Sequence, residues 1–177
     1  KILPVSKFLM EKLLDAIRAG NKELVELTLK DDEFSWSADE NGDTPLHHAC
    51  TVGNAAIVEL LLTDPRVDPD YVNEDGLNAL YSGCKAGHLN VVKLLLADKR
   101  ADPNVQDIEE ERTPLHTACA NDDIDMVALL LADDRVDADI TEEYGNTALH
   151  EACQKGKMDM IKIFMANQRV DPNKTNG

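Results

Sequence analysis

The chain has 177 residues, of which 34 are acidic and 18 basic, for a formal net charge of −16. Nucleic-acid phosphates and anionic headgroups repel that surplus, which argues against both as partners, whereas a basic protein segment would be steered inward. No apolar run approaches the roughly 20 residues that span a bilayer, and Lys1-Ile2-Leu3-Pro4-Val5 is too short for a secretory signal, so neither membrane insertion nor secretion is expected.

The pattern along the chain predicts a succession of helix-turn-helix units. Residues 1–38 place Leu13 and Ile17 on a first helix, Gly20 at a turn, and Leu24, Val25, Leu27 and Leu29 on a second helix. This unit reads as an N-terminal cap, because end repeats are atypical and more polar outside. Phe34 and Trp36 in its following loop are expected to pack on the core. Residues 39–72 carry Thr44-Pro45-Leu46-His47-His48-Ala49-Cys50, then Gly53, then the apolar helix Ile57 to Leu62. Residues 73–106 carry the degenerate copy Asn78-Ala79-Leu80-Tyr81-Ser82-Gly83-Cys84, with Gly87 and the helix Val91 to Leu96. Residues 107–141 repeat the motif as Thr113-Pro114-Leu115-His116-Thr117-Ala118-Cys119, with Asp122 in the place of the turn Gly and Met126 to Leu131 as the second helix. Residues 142–173 repeat it as Thr147-Ala148-Leu149-His150-Glu151-Ala152-Cys153, with Gly156 and Met160 to Met165. Residues 174–177 resemble the start of a further, truncated unit, so continuation of the parent chain is expected.

Each motif residue has a local reason. Thr can cap the helix with its hydroxyl, and Pro suits the first turn, where an N–H has no partner to lose. Gly, or less easily Asp, permits the left-handed turn between helices. The wide apolar stripe of each second helix cannot be buried by one unit alone, so stacking is required. The T-P-L-H-x-A motif, recurring at about 33 residues, is the signature of ankyrin units, and the chain resembles the ankyrin-repeat family over nearly its whole length. That resemblance implies an all-α ankyrin-repeat solenoid of helix-turn-helix units joined by β-hairpin-like finger loops. Two departures stand out: a longer loop after each second helix, such as Asp64-Pro65-Arg66-Val67-Asp68-Pro69, and the finger Asp107-Ile108-Glu109-Glu110-Glu111-Arg112. That finger has no Gly and one extra residue.

Three H-x-x-C pairs, His47 with Cys50, His116 with Cys119 and His150 with Cys153, look like zinc ligands but lie in different units. Stacked helices are about 8–10 Å apart, too far for bonds of about 2.0–2.3 Å to one ion or for a disulfide. Buried structural Cys are therefore expected in all four units that carry one, in a reducing cytosol or nucleus. No nucleophile has a base in a suitable arrangement and no Gly loop cradles phosphate, so neither catalysis nor a cofactor or metal is expected. Arg66, Arg100, Arg135 and Arg169 recur once per unit with Asp two residues later, and the first three also have Asp two residues earlier. Arg–Asp pairing between stacked loops is expected.

The resemblance implies binding through finger tips and the adjoining first helices. The finger residues implied are Glu40, Asn41, Asp43, Glu74, Asp75, Leu77, Glu109, Glu110, Glu111, Arg112, Glu142, Glu143 and Tyr144. The helix residues are His48, Ser82, Lys85, Thr117, Asn121 and Glu151. The function expected is a monomeric, non-catalytic protein-binding scaffold whose acidic edge takes a basic partner. The alternative is a regulatory or targeting segment of a larger enzyme. The resemblance also implies Asn104 and Asn173 as sites of hydroxylation.

Overall fold

A computed structural model describes residues 5–31 and 36–176, which places Phe34 outside the described residues. Ten helices form there: α1 Val5–Arg18, α2 Lys22–Leu29, α3 Pro45–Val52, α4 Ala55–Leu62, α5 Ala79–Lys85, α6 Leu89–Asp98, α7 Pro114–Ala120, α8 Ile124–Ala132, α9 Ala148–Gln154 and α10 Met158–Ala166. No strand forms among the described residues; a lone antiparallel bridge joins Thr141 and Thr147.

The motif sets each first helix locally. The Thr44 hydroxyl accepts from the His47 backbone N–H, and His47 Nδ1 accepts in return from the Thr44 backbone N–H at 3.1 Å. Thr113 with His116 and Thr147 with His150 form the same reciprocal cap. The imidazole thus takes the place that Glu or Gln holds in a capping box. Its far side works across units: Nε2 of His47 lies 2.9 Å from the Leu77 carbonyl, and Nε2 of His116 lies 3.1 Å from that of Asn146. A carbonyl only accepts, so Nε2 carries the proton and the ring is neutral. Burial holds both imidazoles below the ordinary histidine value.

Asn21, Asn54 and Asp123 cap α2, α4 and α8 through their side chains. The turns between paired helices need a left-handed residue. Gly53 has φ +80°, and a Cβ there would come within 2.5 Å of the His88 ring. Asp122 takes the same conformation at φ +59°, as expected of a residue that tolerates it.

The helices form two layers. In one, α1, α3, α5, α7 and α9 stack in succession; in the other, α2, α4, α6, α8 and α10 do. Leu46, Leu80 and Leu115 bury in the first layer, and Ile57, Leu61, Leu95, Leu130 and Phe164 in the second. Full burial of such side chains stabilises by about 1.5–3 kcal/mol each. In the end unit the stripe is thinner: Val25 is buried and Leu24 and Leu29 are partly buried, but Leu27 is exposed. Trp36 is partly buried against the core, with the Arg66 guanidinium 6.0 Å from its ring centroid.

Cys50, Cys84 and Cys119 are buried, but Cys153 is exposed, which corrects the expectation for that residue. Among the described helices α9 stacks on α7 alone within its layer, so the face that covers the earlier Cys residues is open here.

The Arg loops need a second correction. The first three guanidinium groups pair with the Asp two residues before them, within the same loop: Arg66 with Asp64, Arg100 with Asp98, Arg135 with Asp133; Arg169 has Asn167 at that place. The link between loops runs instead from Arg to backbone carbonyls of the preceding unit. Arg100 donates to the carbonyls of Leu62 and Val67, and Arg169 to those of Leu131, Asp133 and Val136. The later Asp of each loop accepts from the backbone N–H two residues on, as Asp68 does from Asp70 and Asp102 from Asn104. Asn104 in turn accepts from the Asp137 N–H and donates to the Arg135 carbonyl, so its amide is engaged between units.

Candidate functional site

Four fingers project between the helix pairs, at residues 39–43, 73–77, 107–112 and 142–146, and each is closed by one backbone bond from its first N–H to its last carbonyl. The first side chain of each folds inward and caps the loop. Asp39 accepts from the N–H groups of Asn41 and Asp43, Asn73 from those of Asp75 and Leu77, and Asp107 from that of Glu110. Glu142 does the same with the backbone and side chain of Asn146, at 2.9 and 2.8 Å. Burial pushes the Asp39, Asp107 and Glu142 carboxyls up, but the bonds they accept outweigh it and hold all three below their ordinary range.

Successive fingers are tied edge to edge. The Glu74 N–H donates to the Asn41 carbonyl at 3.1 Å, Ile108 to Asp75 at 3.0 Å, and Glu143 to Glu110 at 3.0 Å. The tips therefore form one continuous border along the stack. Glu40, Asn41, Glu74, Asp75, Glu109, Glu111, Glu143 and Tyr144 are exposed on it. Glu110 and Arg112 are half-buried and paired with each other, Arg112 Nε lying 2.6 Å from Glu110 Oε2. On the helices, Lys85 and Asn121 are exposed, while His48, Thr117 and Glu151 are half-buried. Nε2 of His48 lies 2.9 Å from Asp39 Oδ2, and Lys155 pairs with Glu151. Asp39, Asp43 and His48 are also the one grouping among the described residues close enough to share a metal ion. Their side chains are already hydrogen-bonded, His48 to Asp39 and Asp43 to the Asn73 amide.

Three of the predicted binding side chains are not at the surface. Leu77 is buried as the last residue of its finger, with its carbonyl bonded to His47. Ser82 is buried on α5 and donates to the Asn78 carbonyl. Glu142 is buried as the cap of its own finger. Their side chains are therefore turned away from solvent.

The third finger is built differently from the rest. Gly42, Gly76 and Gly145 hold the left-handed position in theirs, whereas Glu111 holds it here at φ +55°. Its base is clamped by Tyr81, which stands where α3 and α7 have the motif His. The Tyr81 hydroxyl donates to Asp107 Oδ2 at 2.5 Å and lies 2.8 Å from Thr117 Oγ1. The longer side chain reaches past the finger carbonyl that His would meet and binds the first residue of the next finger. Burial and the neighbouring Asp107 carboxylate push the phenol well above its ordinary value.

Glu111→Gly is expected to raise stability by about 0.5–1 kcal/mol, because relief of the left-handed strain exceeds the entropy cost of Gly. The measurement is the denaturant midpoint. A lower midpoint would mean that the Glu111 side chain holds the finger in place.

Ile108 is the surface residue that the sequence reading passed over. It is 71% exposed at a finger position filled by Glu40, Glu74 and Glu143 elsewhere. That substitution in an otherwise acidic column was the signal available.

A family model of ankyrin repeats (3 copies) matches residues 13–107 and residues 101–176. No curated protein is significantly similar in sequence. The reciprocal Thr–His caps, the two stacked helix layers and the ordered fingers agree with that match: the chain belongs to the ankyrin-repeat family.

Proposed function

We propose that the chain is a non-catalytic protein-binding module whose finger border recognises a basic surface on another protein. Ankyrin repeats in general are protein–protein interaction modules. The observation that supports the finer reading is the alignment of exposed Glu40, Glu74, Asp75, Glu109 and Glu143 on one border, held in register by backbone bonds between fingers. No basic side chain of the described fingers is fully exposed beside them; Arg112 is half-buried against Glu110. The field along that border is therefore negative and attracts Lys and Arg.

Three of the four thiols and two of the motif imidazoles are committed to the fold. Burial pushes the thiols of Cys50, Cys84 and Cys119 up, opposite to the shift that makes a thiolate nucleophile. His47 and His116 use both ring nitrogens in caps and inter-unit bonds.

The test is affinity capture from cell lysate with the chain and with a Glu74→Gln, Glu109→Gln, Glu143→Gln variant of equal helical circular dichroism. Partner retention is expected to fall with the variant and on raising salt from about 0.05 to 0.5 M, since exposed charges are screened within a few ångströms at high salt. Partners kept by both baits at both salts would count against the acidic border.

A further inference from the structure

The two most exposed large apolar side chains among the described residues are Ile108, at 71%, and Tyr144, at 70%. Both stand at the tips of adjacent fingers. The Glu143 N–H donates to the Glu110 carbonyl, so those two fingers meet at that point. The Ile108 N–H is likewise pinned to the Asp75 carbonyl of the finger before. Its side chain leans over Gly76, where a Cβ would come within 2.9 Å of Ile108 Cγ2. Ile108 thus has a fixed backbone and a set direction, yet it covers no core. The same two fingers carry exposed Glu109 and Glu143 and half-buried Glu110.

We propose that the exposed apolar tips of the third and fourth fingers are the contact centre of the border, and that they take a peptide segment with apolar or aromatic side chains set between Lys or Arg residues. The proposal rests on the basic-partner reading and adds to it a location and a second requirement. Single exposed apolar residues on a protein surface are ordinary. Here two of them, on neighbouring tips, interrupt a border otherwise made of carboxylates and polar groups. Charge complementarity selects the flanks of the occupant, because the four fingers offer carboxylates in excess. Area selects its centre. A Tyr ring and an Ile side chain that are desolvated together form the kind of anchor that dominates interfaces, with the surrounding charges as a rim.

The test uses the 177-residue chain and two labelled synthetic peptides of equal length and equal Lys content. One has only Gly and Ser between the Lys residues; the other has Leu and Phe at two central positions. Dissociation constants are measured by fluorescence anisotropy, for the chain and for an Ile108→Ser, Tyr144→Ser variant. Both substituted positions are exposed, and equal denaturant midpoints confirm that the fold is kept. The chain is expected to bind the apolar-bearing peptide roughly tenfold to a hundredfold more tightly than its polar counterpart. The variant should bind the two alike. Equal binding of both peptides by the unaltered chain, or a preference that survives in the variant, overturns the contact centre and leaves the basic-partner reading standing. Binding of neither peptide overturns both.

Discussion

Leu130→Ala is expected to lower the unfolding free energy by about 2–5 kcal/mol, the range for truncating a fully buried Leu. Leu130 has no exposed surface, and it sits on α8, which packs on α6 before it, α10 after it and α7 beside it. A solenoid has no central core to redistribute the loss. Its stability is close to a sum of unit terms and nearest-neighbour interfaces, so a cavity in α8 weakens the fourth unit and both of its junctions together. Collapse around the cavity is restricted, because Met126, Val127 and Leu131 on the same helix are themselves buried. For a chain of this size the loss corresponds to roughly 2–4 °C in melting temperature per kcal/mol. Chemical denaturation followed by circular dichroism reads it, and the transition should broaden as units uncouple. An unchanged midpoint would show that Leu130 is not in the stack as described.

The helices were legible because their determinants are local. A Thr three residues before a His, a Pro at the first turn and Gly at the left-handed position state where a helix begins and ends without knowledge of neighbours. The apolar period then states which face must be covered. Cys153 shows the limit of that argument. Its motif matches those of the buried Cys residues, but burial depends on what lies against α9, which the motif does not encode.

The fingers were legible as an acidic border but not residue by residue. Glu142 and Glu143 are neighbours of the same type, yet one is the buried cap of its finger and the other stands in solvent. The distinction follows from the finger's internal hydrogen bonds, which a list of tip residues does not contain. Tyr81 was legible as a departure from the motif His, but its role was not. That role needs the extra length of the third finger and the reach of the phenol to Asp107 considered together. Ile108 lies outside the finger positions that the resemblance implies, and its exposure depends on the extra residue of that finger and on its place over Gly76.

Arg135→Ala is expected to cost about 2–3 kcal/mol, several times what an exposed Arg–Asp pair contributes. Its side chain is 29% exposed, and the guanidinium donates to Asp133 through Nε and Nη2, at 3.0 and 2.8 Å. The same group also donates to the carbonyls of Lys99, Ala101 and Leu96 in the preceding unit, at 3.1, 3.0 and 3.0 Å. Leu96 and Ala101 are buried residues, and a carbonyl left without its charged donor there bears a desolvation cost that an ion pair at the surface does not. Lys would keep the charge but not the planar fork, so Arg135→Lys should recover only a small part of the loss. The Asp133 carboxyl is held below its ordinary value chiefly by the Arg135 side chain. Its contribution is therefore complete above the unfolded carboxylate value of about 3.9 and is lost as pH falls through the lower folded one. The carbonyl bonds do not titrate and persist through that window. Two consequences separate this account from a simple ion pair. Asp133→Asn should cost clearly less than Arg135→Ala, and the double variant should cost little more than Arg135→Ala alone, because Asp133 acts mainly by orienting the guanidinium toward the carbonyls. Denaturant midpoints of the two single variants and the double variant measure both. Equal losses of about 0.2–1 kcal/mol for the two single changes would reduce the loop to an exposed pair and remove its part in holding the units in register.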